Sequence, residues 1–291
     1  MRIKVNDGVL ERAHFKTTLM EHMINYDKLI KSLIEQWRDW AVKTKTSKFV
    51  IGISGGKDSA VVLGLAVAAF GKESVIPVSM PCGIQGDIDD VIALLKHYDL
   101  DDKKITTNIE PAVLSIENTF KTFYIKESKQ TKTNLPARIR MATLFAVAQS
   151  IPGAKVINTC NLSEDMVGWS TLFGDDSGCY APLKDLTCTE VKIVGEKIGV
   201  PDFIIKKAPS DGLCGKTDED ALGFSYATLD MYIRTGYCEN FEDEIKIEEM
   251  YNKAKFKQEL IQLPHPELGL PNYLKTHNEP RIEIPENLFD T

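Results

Sequence analysis

The sequence predicts an α/β fold in which helices flank a doubly wound parallel sheet. Short apolar, β-branched runs alternate with stretches of helical periodicity along most of the chain. The first of these runs ends in two glycines and is followed at once by an apolar helical stretch. With 43% hydrophobic and 26% charged residues, the 291-residue chain has the composition of a globular protein with a sizeable core.

The first elements predict one strand–helix–strand unit behind a long helix. Residues 19 to 43 carry large apolar side chains at helical spacing, so we expect a helix that covers the sheet or serves as an interface. A strand from Lys48 to Ser54 follows. It leads through a helix from Asp58 to Phe70 into a strand from Ser74 to Met80. The length of this connection suits a right-handed parallel crossover.

The same alternation continues through the middle of the chain. It predicts helices near Asp89–His97 and Leu135–Gln149, and strands near Lys104–Ile109, Lys155–Thr159 and Phe203–Lys206. No repeat or low-complexity tract interrupts the pattern before about residue 262, where the sequence becomes proline-rich and irregular. We therefore predict a single domain over residues 1–291 with an irregular tail from about residue 262.

Charge and cysteine content restrict the classes of partner. The chain has 35 basic and 42 acidic residues, a net charge of -7, which gives no general attraction to nucleic acid or to an anionic membrane. No apolar run approaches the roughly 20 residues of a membrane span. The 6 cysteines form no zinc-like cluster and are typical of reduced thiols. A cytoplasmic protein is expected, with neither nucleic acid nor membrane as a partner.

The six residues from Ser54 to Ser59 (SGGKDS) form a candidate phosphate-binding loop. Glycines after a strand let the backbone approach a ligand closely, and the following helix directs its free N–H groups to the same place. Lys57 adds a positive charge, and Asp58 supplies an oxygen for a magnesium ion. The competing interpretation is an ordinary turn in which Asp58 caps the helix. The order of strand, glycines and helix favours the phosphate loop.

This loop resembles the SGGxDS loop of the N-type ATP-pyrophosphatases, which include NAD, GMP and asparagine synthetases and several tRNA-modifying enzymes. In them the loop holds the pyrophosphate that leaves when ATP adenylates a substrate. The resemblance implies a Rossmann-like sheet of the adenine nucleotide alpha hydrolase type, ATP as a co-substrate and Mg²⁺. It also implies ATP contacts from the strand end and the loop, namely Gly52, Ile53, Ser54, Gly55, Gly56, Lys57, Asp58 and Ser59.

Further stretches resemble the NAD synthetase family in particular, and they occur in that family's order. They are Met80–Asp87 (MPCGIQGD), Asn134–Met141 (NLPARIRM), Thr159–Glu164 (TCNLSE), Phe173–Asp176 (FGDD), Ala208–Leu213 (APSDGL) and Asp218–Asp230 (DEDALGFSYATLD). By this resemblance, Thr159 and Ser210 contact ATP, and Glu164 joins Asp58 in binding magnesium. Taken alone, Glu164 also fits a helix-capping carboxylate.

The resemblance also implies residues for the acceptor substrate. Arg138 is expected to contact the dinucleotide across a homodimer interface, although two arginines on a helix are also typical of a solvated face. His277 occupies the histidine position of a carboxy-terminal motif. Asp175 is expected to lie near the attacking ammonia and to accept a proton, alongside Asp58 as the second catalytic residue. Without the resemblance, the turn around Asp175 would be interpreted as a simple loop.

The implied reaction joins ammonia to the carboxylate of nicotinic acid adenine dinucleotide (deamido-NAD). ATP would first adenylate this carboxylate, and the products would be NAD, AMP and pyrophosphate. The synthetase motifs begin by residue 52, which leaves no room before them for the glutaminase domain of glutamine-dependent relatives. Free ammonia is therefore the expected nitrogen donor, and a separate glutaminase partner stays an open alternative.

The chain also departs from the family pattern at four positions. Leu172, Cys188 and Asn278 stand where many members carry lysine, and Cys179 stands where they often carry a substrate-contacting aspartate. Candidates to replace the lost charges are Lys184, Lys206, Lys207 and Arg281.

These departures keep two other hypotheses open. One is an ATP-pyrophosphatase that acts on another acceptor, such as a tRNA or a different amide ligase substrate. The other is a module that binds ATP without turnover. Retention of Asp58, Glu164 and Asp175 favours an enzyme.

Overall fold

The computed structural model describes residues 24–84, 86–207 and 218–258. Several positions named above lie outside the described residues. They are residues 19–23, Ser210, His277, Asn278, Arg281 and the tail from about residue 262.

The described residues contain a four-stranded sheet, and all of its pairings are parallel. The strands are β1 (Lys48–Gly52), β2 (Val75–Ser79), β3 (Ile105–Thr106) and β4 (Ala154–Ile157). Their order is β3-β2-β1-β4. After β1 the chain adds β2 and β3 on one side and then returns to place β4 on the other. This confirms the predicted fold class. It also puts a crevice, typical of ligand sites, between the carboxyl ends of β1 and β4.

Helices cover both faces of this sheet. In chain order they are α1 (Tyr26–Lys43), α2 (Lys57–Phe70), α3 (Ile88–His97), α4 (Glu110–Thr122), α5 (Lys129–Gln149), α6 (Leu162–Val167), α7 (Cys188–Lys197), α8 (Asp202–Ile205), α9 (Asp218–Leu222), α10 (Tyr226–Thr235) and α11 (Phe241–Ala254). None of the helices in the described ranges combines the length and the apolar character that a membrane crossing requires. The 5 described cysteines are free thiols.

Alternate residues of β1 serve opposite faces of the sheet, as the two-residue period of a strand requires. Phe49 and Ile51 join the larger core with α1, α2, α3 and α7. Trp37 of α1 is buried in this core and stacks against Tyr180. Val50 points to a second core that includes Ala148 of α5. The long first helix therefore covers one face of the sheet.

The strand predicted near Phe203–Lys206 is wrong, because this segment forms the short helix α8. The carbonyl of Pro201 accepts hydrogen bonds from the N–H groups of Ile204 (3.0 Å) and Ile205 (3.3 Å). Both isoleucine side chains are buried although they are adjacent in sequence. A short apolar run looks the same in a buried strand and in one buried turn of helix, so periodicity could not separate them.

Two helices extend beyond what the sequence predicted. The helix α4 was not predicted, although Pro111 near its start is a common helix-opening residue. The helix α5 was predicted from Leu135 but begins at Lys129, where the Ser128 side chain accepts a hydrogen bond from the Thr131 N–H. Pro136 lies inside α5.

Candidate active site

The glycine loop lies between the end of β1 and the start of α2. Gly55 has φ +88°, and a Cβ atom there would lie 3.0 Å from both the Cβ and the carbonyl oxygen of Asp87. Gly56 occupies the N-cap position of α2 and makes no side-chain cap. The hydroxyl of Ser54 accepts from the Gly56 N–H (3.2 Å) and lies 3.2 Å from the hydroxyl of Ser59. The loop thus leaves the first N–H groups of α2 without a side-chain cap, the feature that an anion site uses.

Asp58 is not the helix cap but the second residue of α2, and both of its oxygens are hydrogen-bonded. One lies 2.8 Å from the Nζ atom of Lys57, and the other accepts from the Asn161 side-chain amide at 3.0 Å. Asn161 follows β4 and caps α6 by accepting from the Glu164 N–H at 3.1 Å. A single asparagine thus joins the ends of β1 and β4 and brings Glu164 to the neighbourhood of Asp58. Sequence reasoning included Asn161 in a motif but gave it no role.

The charges at this point are strongly coupled. Burial raises the pKa of Glu164 well above its ordinary value, and the Asp58 carboxylate raises it further against the opposing effect of Lys57. Burial alone would lower the pKa of Lys57, but Asp58, Cys188 and Glu164 together raise it well above the ordinary value. The buried site therefore favours additional positive charge. Carboxylate oxygens are the donors that Mg²⁺ takes together with phosphate oxygens, so Asp58 and Glu164 fit this ion.

The buried carboxylate of Asp230 holds together the helix ends next to Glu164. Asp230 accepts hydrogen bonds from the Ser163 hydroxyl (2.5 Å) and from the Thr189 N–H (2.7 Å). The same Ser163 hydroxyl accepts from the Cys188 N–H at 2.9 Å. The starts of α6 and α7 are thereby fixed to each other next to Glu164.

A different group of potential metal ligands lies nearby. The side chains of Cys160, Asp165 and Asp176 approach one another within 4.8 Å. Lys184 Nζ lies 2.7 Å from Asp165 and 3.1 Å from Asp176, so an ammonium group already supplies the positive charge there. The predicted pair of Asp58 and Glu164 is separate from this group.

The predicted proton acceptor, Asp175, lies in a turn whose shape depends on Gly174. A Cβ atom on Gly174 would lie 2.8 Å from Thr171 Cγ2 and 3.1 Å from Ala137 Cβ. Asp175 Oδ1 accepts from the Thr171 N–H at 2.9 Å. The residue keeps an exposed edge, while the crowding of protein around its carboxyl raises the pKa and outweighs the bonds from Thr171. Asp175 is therefore open to solvent and takes a proton more readily than an ordinary aspartate.

The two arginines of α5 have different surroundings. Arg138 is exposed, and its Nε donates to the Leu172 carbonyl at 3.3 Å. Arg140 is half-buried and donates to the carbonyl of Met80, just beyond β2, at 3.0 Å. Burial lowers the pKa of Arg140, and the charges of Cys82 and Asp175 oppose this effect. Arg140 thus lies within electrostatic reach of Asp175, which sequence reasoning did not predict.

The segment from Ser177 to Lys184 borders an open cavity beside β4. The Cys179 N–H donates to the Val156 carbonyl (2.8 Å), and the Asn158 N–H donates to the Tyr180 carbonyl (2.9 Å). The cavity has a volume of about 260 Å³ and is lined by Asn158, Asp176, Gly178, Cys179, Tyr180, Ala181 and Lys184. Thr159 follows β4 and is half-buried. The exposed Cys179, where the sequence analysis expected a family aspartate, lines this cavity.

The three described candidates for replacing the lost lysines lie in ion pairs of their own. Lys184 is bound as described above, Lys206 pairs with Asp202, and Lys207 lies 2.6 Å from both Asp87 and Asp90. Lys57, which was not among these candidates, is buried near Cys188, whose thiol stays neutral because burial raises its pKa to about 12. The position of Lys57 within the loop motif did not indicate that it would lie near Cys188.

Comparison with known proteins gives consistent matches. The model of the family described as NAD synthase matches residues 29–263. The NH(3)-dependent NAD(+) synthetase of Pyrococcus horikoshii is 40% identical over 210 residues, covering 72% of this chain and 77% of that protein.

Two solved structures have the same fold. NMN synthetase from Francisella tularensis superposes with a TM-score of 0.76 at 29% identity and covers 83% of this chain and 99% of that one. NH3-dependent NAD synthetase from Campylobacter jejuni gives a TM-score of 0.67 at 22% identity and covers 83% of this chain and 100% of that one, a likeness that concerns the fold.

Proposed function

The chain belongs to the NAD synthase family of ATP-using carbon–nitrogen ligases, and from this premise we propose that it makes NAD from deamido-NAD and ammonia. The other products are AMP and pyrophosphate. The observation that carries the proposal is the connection of Asp58 to Glu164 through Asn161, beside the start of α2. This arrangement suits a polyphosphate with its metal ion at the point where two parallel strands separate.

The first step activates the acceptor. A free carboxylate has no good leaving group, so its oxygen attacks the α-phosphorus of ATP and pyrophosphate departs. The N–H groups at the start of α2 and the Lys57 ammonium stabilise the negative charge that develops on the pyrophosphate. Mg²⁺, when bound by Asp58 and Glu164, adds positive charge to the same oxygens. Thr159 and Ser210 belong to the proposal as further ATP contacts.

The second step forms the amide. Ammonium must lose a proton before its nitrogen can attack the acyl carbon, and AMP then leaves with the electrons of the broken C–O bond. We assign this proton to Asp175, because its carboxylate is open to solvent while its surroundings favour the protonated form. His277 belongs to the proposal as a substrate contact.

A homodimer is part of the proposal, with Arg138 of one subunit reaching the substrate of the other. Arg138 is exposed on α5, and large apolar side chains are exposed next to this helix at the end of α4, at Phe123, Tyr124 and Ile125. A two-fold interface over this region would cover them.

The test mixes Arg138→Ala with Asp58→Ala, two variants expected to be inactive alone. Reassembled heterodimers would recover about a quarter of wild-type activity, since half of the dimers have one intact site. No recovery after subunit exchange would contradict a shared site.

The proposed reaction is tested with purified full-length protein, deamido-NAD, ATP and Mg²⁺. Ammonium and glutamine are supplied in separate reactions, and NAD and AMP are quantified by chromatography. We expect equal amounts of NAD and AMP with ammonium, none with glutamine alone, and loss of both products in Asp58→Ala. NAD formation only after addition of a separate glutaminase would identify a partner. ATP binding with neither AMP nor NAD formed would mean that the acceptor is different.

A second candidate function is amidation of the mononucleotide acid to give NMN. It is favoured by the exposed Cys179 at the cavity, where the family pattern has a substrate-contacting aspartate, and by the 29% identity to an NMN synthetase. The same assay with the mononucleotide and dinucleotide acids in competition separates the two functions. The preferred acceptor is the one with the higher kcat/KM.

A further inference from the structure

Tyr226, the first residue of α10, has a buried hydroxyl group that the proposed mechanism does not use. Its side chain is 2% exposed, and its hydroxyl has no hydrogen-bond partner among the described residues. Leaving a buried hydroxyl without a partner costs about 1–3 kcal/mol. Such a group requires an explanation, and a ligand that binds beside it would supply the missing partner.

The position of Tyr226 is well fixed. Its backbone N–H donates to Glu219 Oε1 at 2.8 Å, and Ser225 caps α10 by accepting from the Thr228 N–H at 3.1 Å. The ring packs in a core with Leu222 and Leu229. The hydroxyl is thus held in place without making a bond of its own.

The ring of Tyr226 lies beside the glycine loop. Lys57 Nζ is 5.8 Å from the ring centroid and 2.8 Å from Asp58 Oδ2. Burial raises the pKa of Tyr226, and the carboxylates of Glu164 and Asp218 raise it further. The phenol therefore stays protonated and remains a hydrogen-bond donor. An oxyanion that contacts the Lys57 ammonium would therefore lie beside the Tyr226 ring.

We propose that Tyr226 is a binding residue for the pyrophosphate portion of ATP, and that its hydroxyl donates a hydrogen bond to a phosphate oxygen held by Lys57. This inference rests on the proposed function, because it uses the same nucleotide site. It adds a contact from α10, far along the chain from the loop. The bound phosphate would thus connect the sheet to the helical layer of α10 and α11.

The test compares Tyr226→Phe with Tyr98→Phe as a matched control. The Tyr98 hydroxyl is also buried without a partner among the described residues, but it lies near Gly64 in the middle of α2, next to Ile198 and Val200. Each variant loses only one oxygen. Calorimetric titration with ATP and with inorganic pyrophosphate, both at saturating Mg²⁺, gives the affinities, and thermal unfolding without ligand gives the stabilities.

We expect Tyr226→Phe to bind pyrophosphate at least about tenfold more weakly, the loss typical of a hydrogen bond to a charged group. Its Tm without ligand should equal or exceed that of the wild type. Tyr98→Phe should keep the wild-type affinity. Unchanged pyrophosphate affinity in Tyr226→Phe would overturn the proposal, with or without a loss of stability. Normal affinity that merely needs more Mg²⁺ would overturn it too, because the hydroxyl would then serve the metal ion.

The binding test separates this inference from the proposed reaction. If the wild type binds pyrophosphate and Tyr226→Phe does not, the inference stands even when no NAD forms. If the wild type makes NAD and both tyrosine variants bind pyrophosphate equally, the inference fails and the reaction stands. Wild-type protein that binds neither ATP nor pyrophosphate would overturn both.

Discussion

The two ends of the candidate site are built in different ways. At the proposed pyrophosphate end, Asp58 contacts Lys57, and the Asn161 side chain connects Asp58 to the backbone N–H of Glu164. At the acceptor end, Asp175 and Cys179 are exposed and are held in place largely by backbone N–H groups. One end is a partly buried cluster of charges, and the other is an open loop on a fixed backbone.

This difference indicates where the chain has kept a common chemistry and where it has room to change its substrate. Buried charges require all of their partners, since removing one leaves another uncompensated. An exposed side chain on a loop can change at little cost to the fold. We therefore expect variants at the pyrophosphate end to disturb metal or nucleotide binding. Variants at the acceptor end should change proton transfer or the choice of acceptor.

Among the substitutions that keep the shape of the side chain, the largest effect is expected for Asp175→Asn, which tests whether the open end supplies the proton acceptor. Loss of a proton acceptor should lower kcat by about 10³-fold. The raised pKa of Asp175 predicts that wild-type activity falls on acidification with a midpoint above the roughly 3.9 of an ordinary aspartate. A kcat–pH profile measures both effects, with ammonia corrected for its own protonation. A variant with full activity and an unchanged acidic limb would assign the proton to another group.

The same residue makes a prediction for stability with a definite sign. Folding raises the pKa of the Asp175 carboxyl. The protonated carboxyl therefore stabilises the folded protein at pH values below the pKa of the unfolded chain. This stabilisation is lost as the pH rises through the pKa of the folded protein. Asp175→Asn should therefore be no less stable than the wild type at pH 8, as chemical denaturation would measure. A marked loss of stability would mean that the charged carboxylate stabilises the turn. The side chains at both ends of the site would then support the fold, which contradicts the difference described above.

Glu164→Gln tests the buried end and should lower kcat/KM by about 10²-fold, with a higher Mg²⁺ requirement. The amide keeps the shape of the side chain but removes a charge that a metal ion would neutralise. Asp165→Asn is the matched control, because the adjacent carboxylate faces Lys184. Activity measured against Mg²⁺ concentration should shift for Glu164→Gln alone. Equal shifts in both variants would assign the metal to the neighbouring acidic group.

Asn161→Ala should cost about tenfold in kcat/KM, because it removes an indirect support of Asp58 and Glu164. It also removes the cap of α6, which is worth about 1 kcal/mol of stability. Asn25→Ala removes the same kind of cap from α1, where Asn25 accepts from the Lys28 N–H at 3.0 Å. Asn161→Ala should lose more stability in denaturant unfolding than Asn25→Ala, because Asn161 is buried and also donates to Asp58. An equal loss of activity in both would show that Asn161 acts only as a cap.

The sequence predicted this site unevenly, for physical reasons. The nearness of Asp58 and Glu164 followed from the fold class, because parallel strands bring their carboxyl ends to one edge. The place of Lys57 beside Cys188 depends on how α2 packs against α7, and spacing along the chain carries no information about it. The sequence also contained no indication that the Tyr226 hydroxyl lacks a partner, because Tyr226 has the helical spacing of an ordinary core residue.

The smallest expected effect, Cys179→Asp, asks whether the acceptor end still has the geometry of the family. If it does, the new carboxylate would accept a hydrogen bond from the acceptor and lower its KM by about three- to tenfold, the range of one net hydrogen bond. Cys179→Ser is the control, because it adds a polar atom of similar size without a charge. Steady-state kinetics with the mononucleotide and dinucleotide acids would show which of them gains. A gain confined to the dinucleotide would mean that Cys179 weakens recognition of its additional nucleotide, whereas no gain with either acid would mean that the loop holds its acceptor elsewhere.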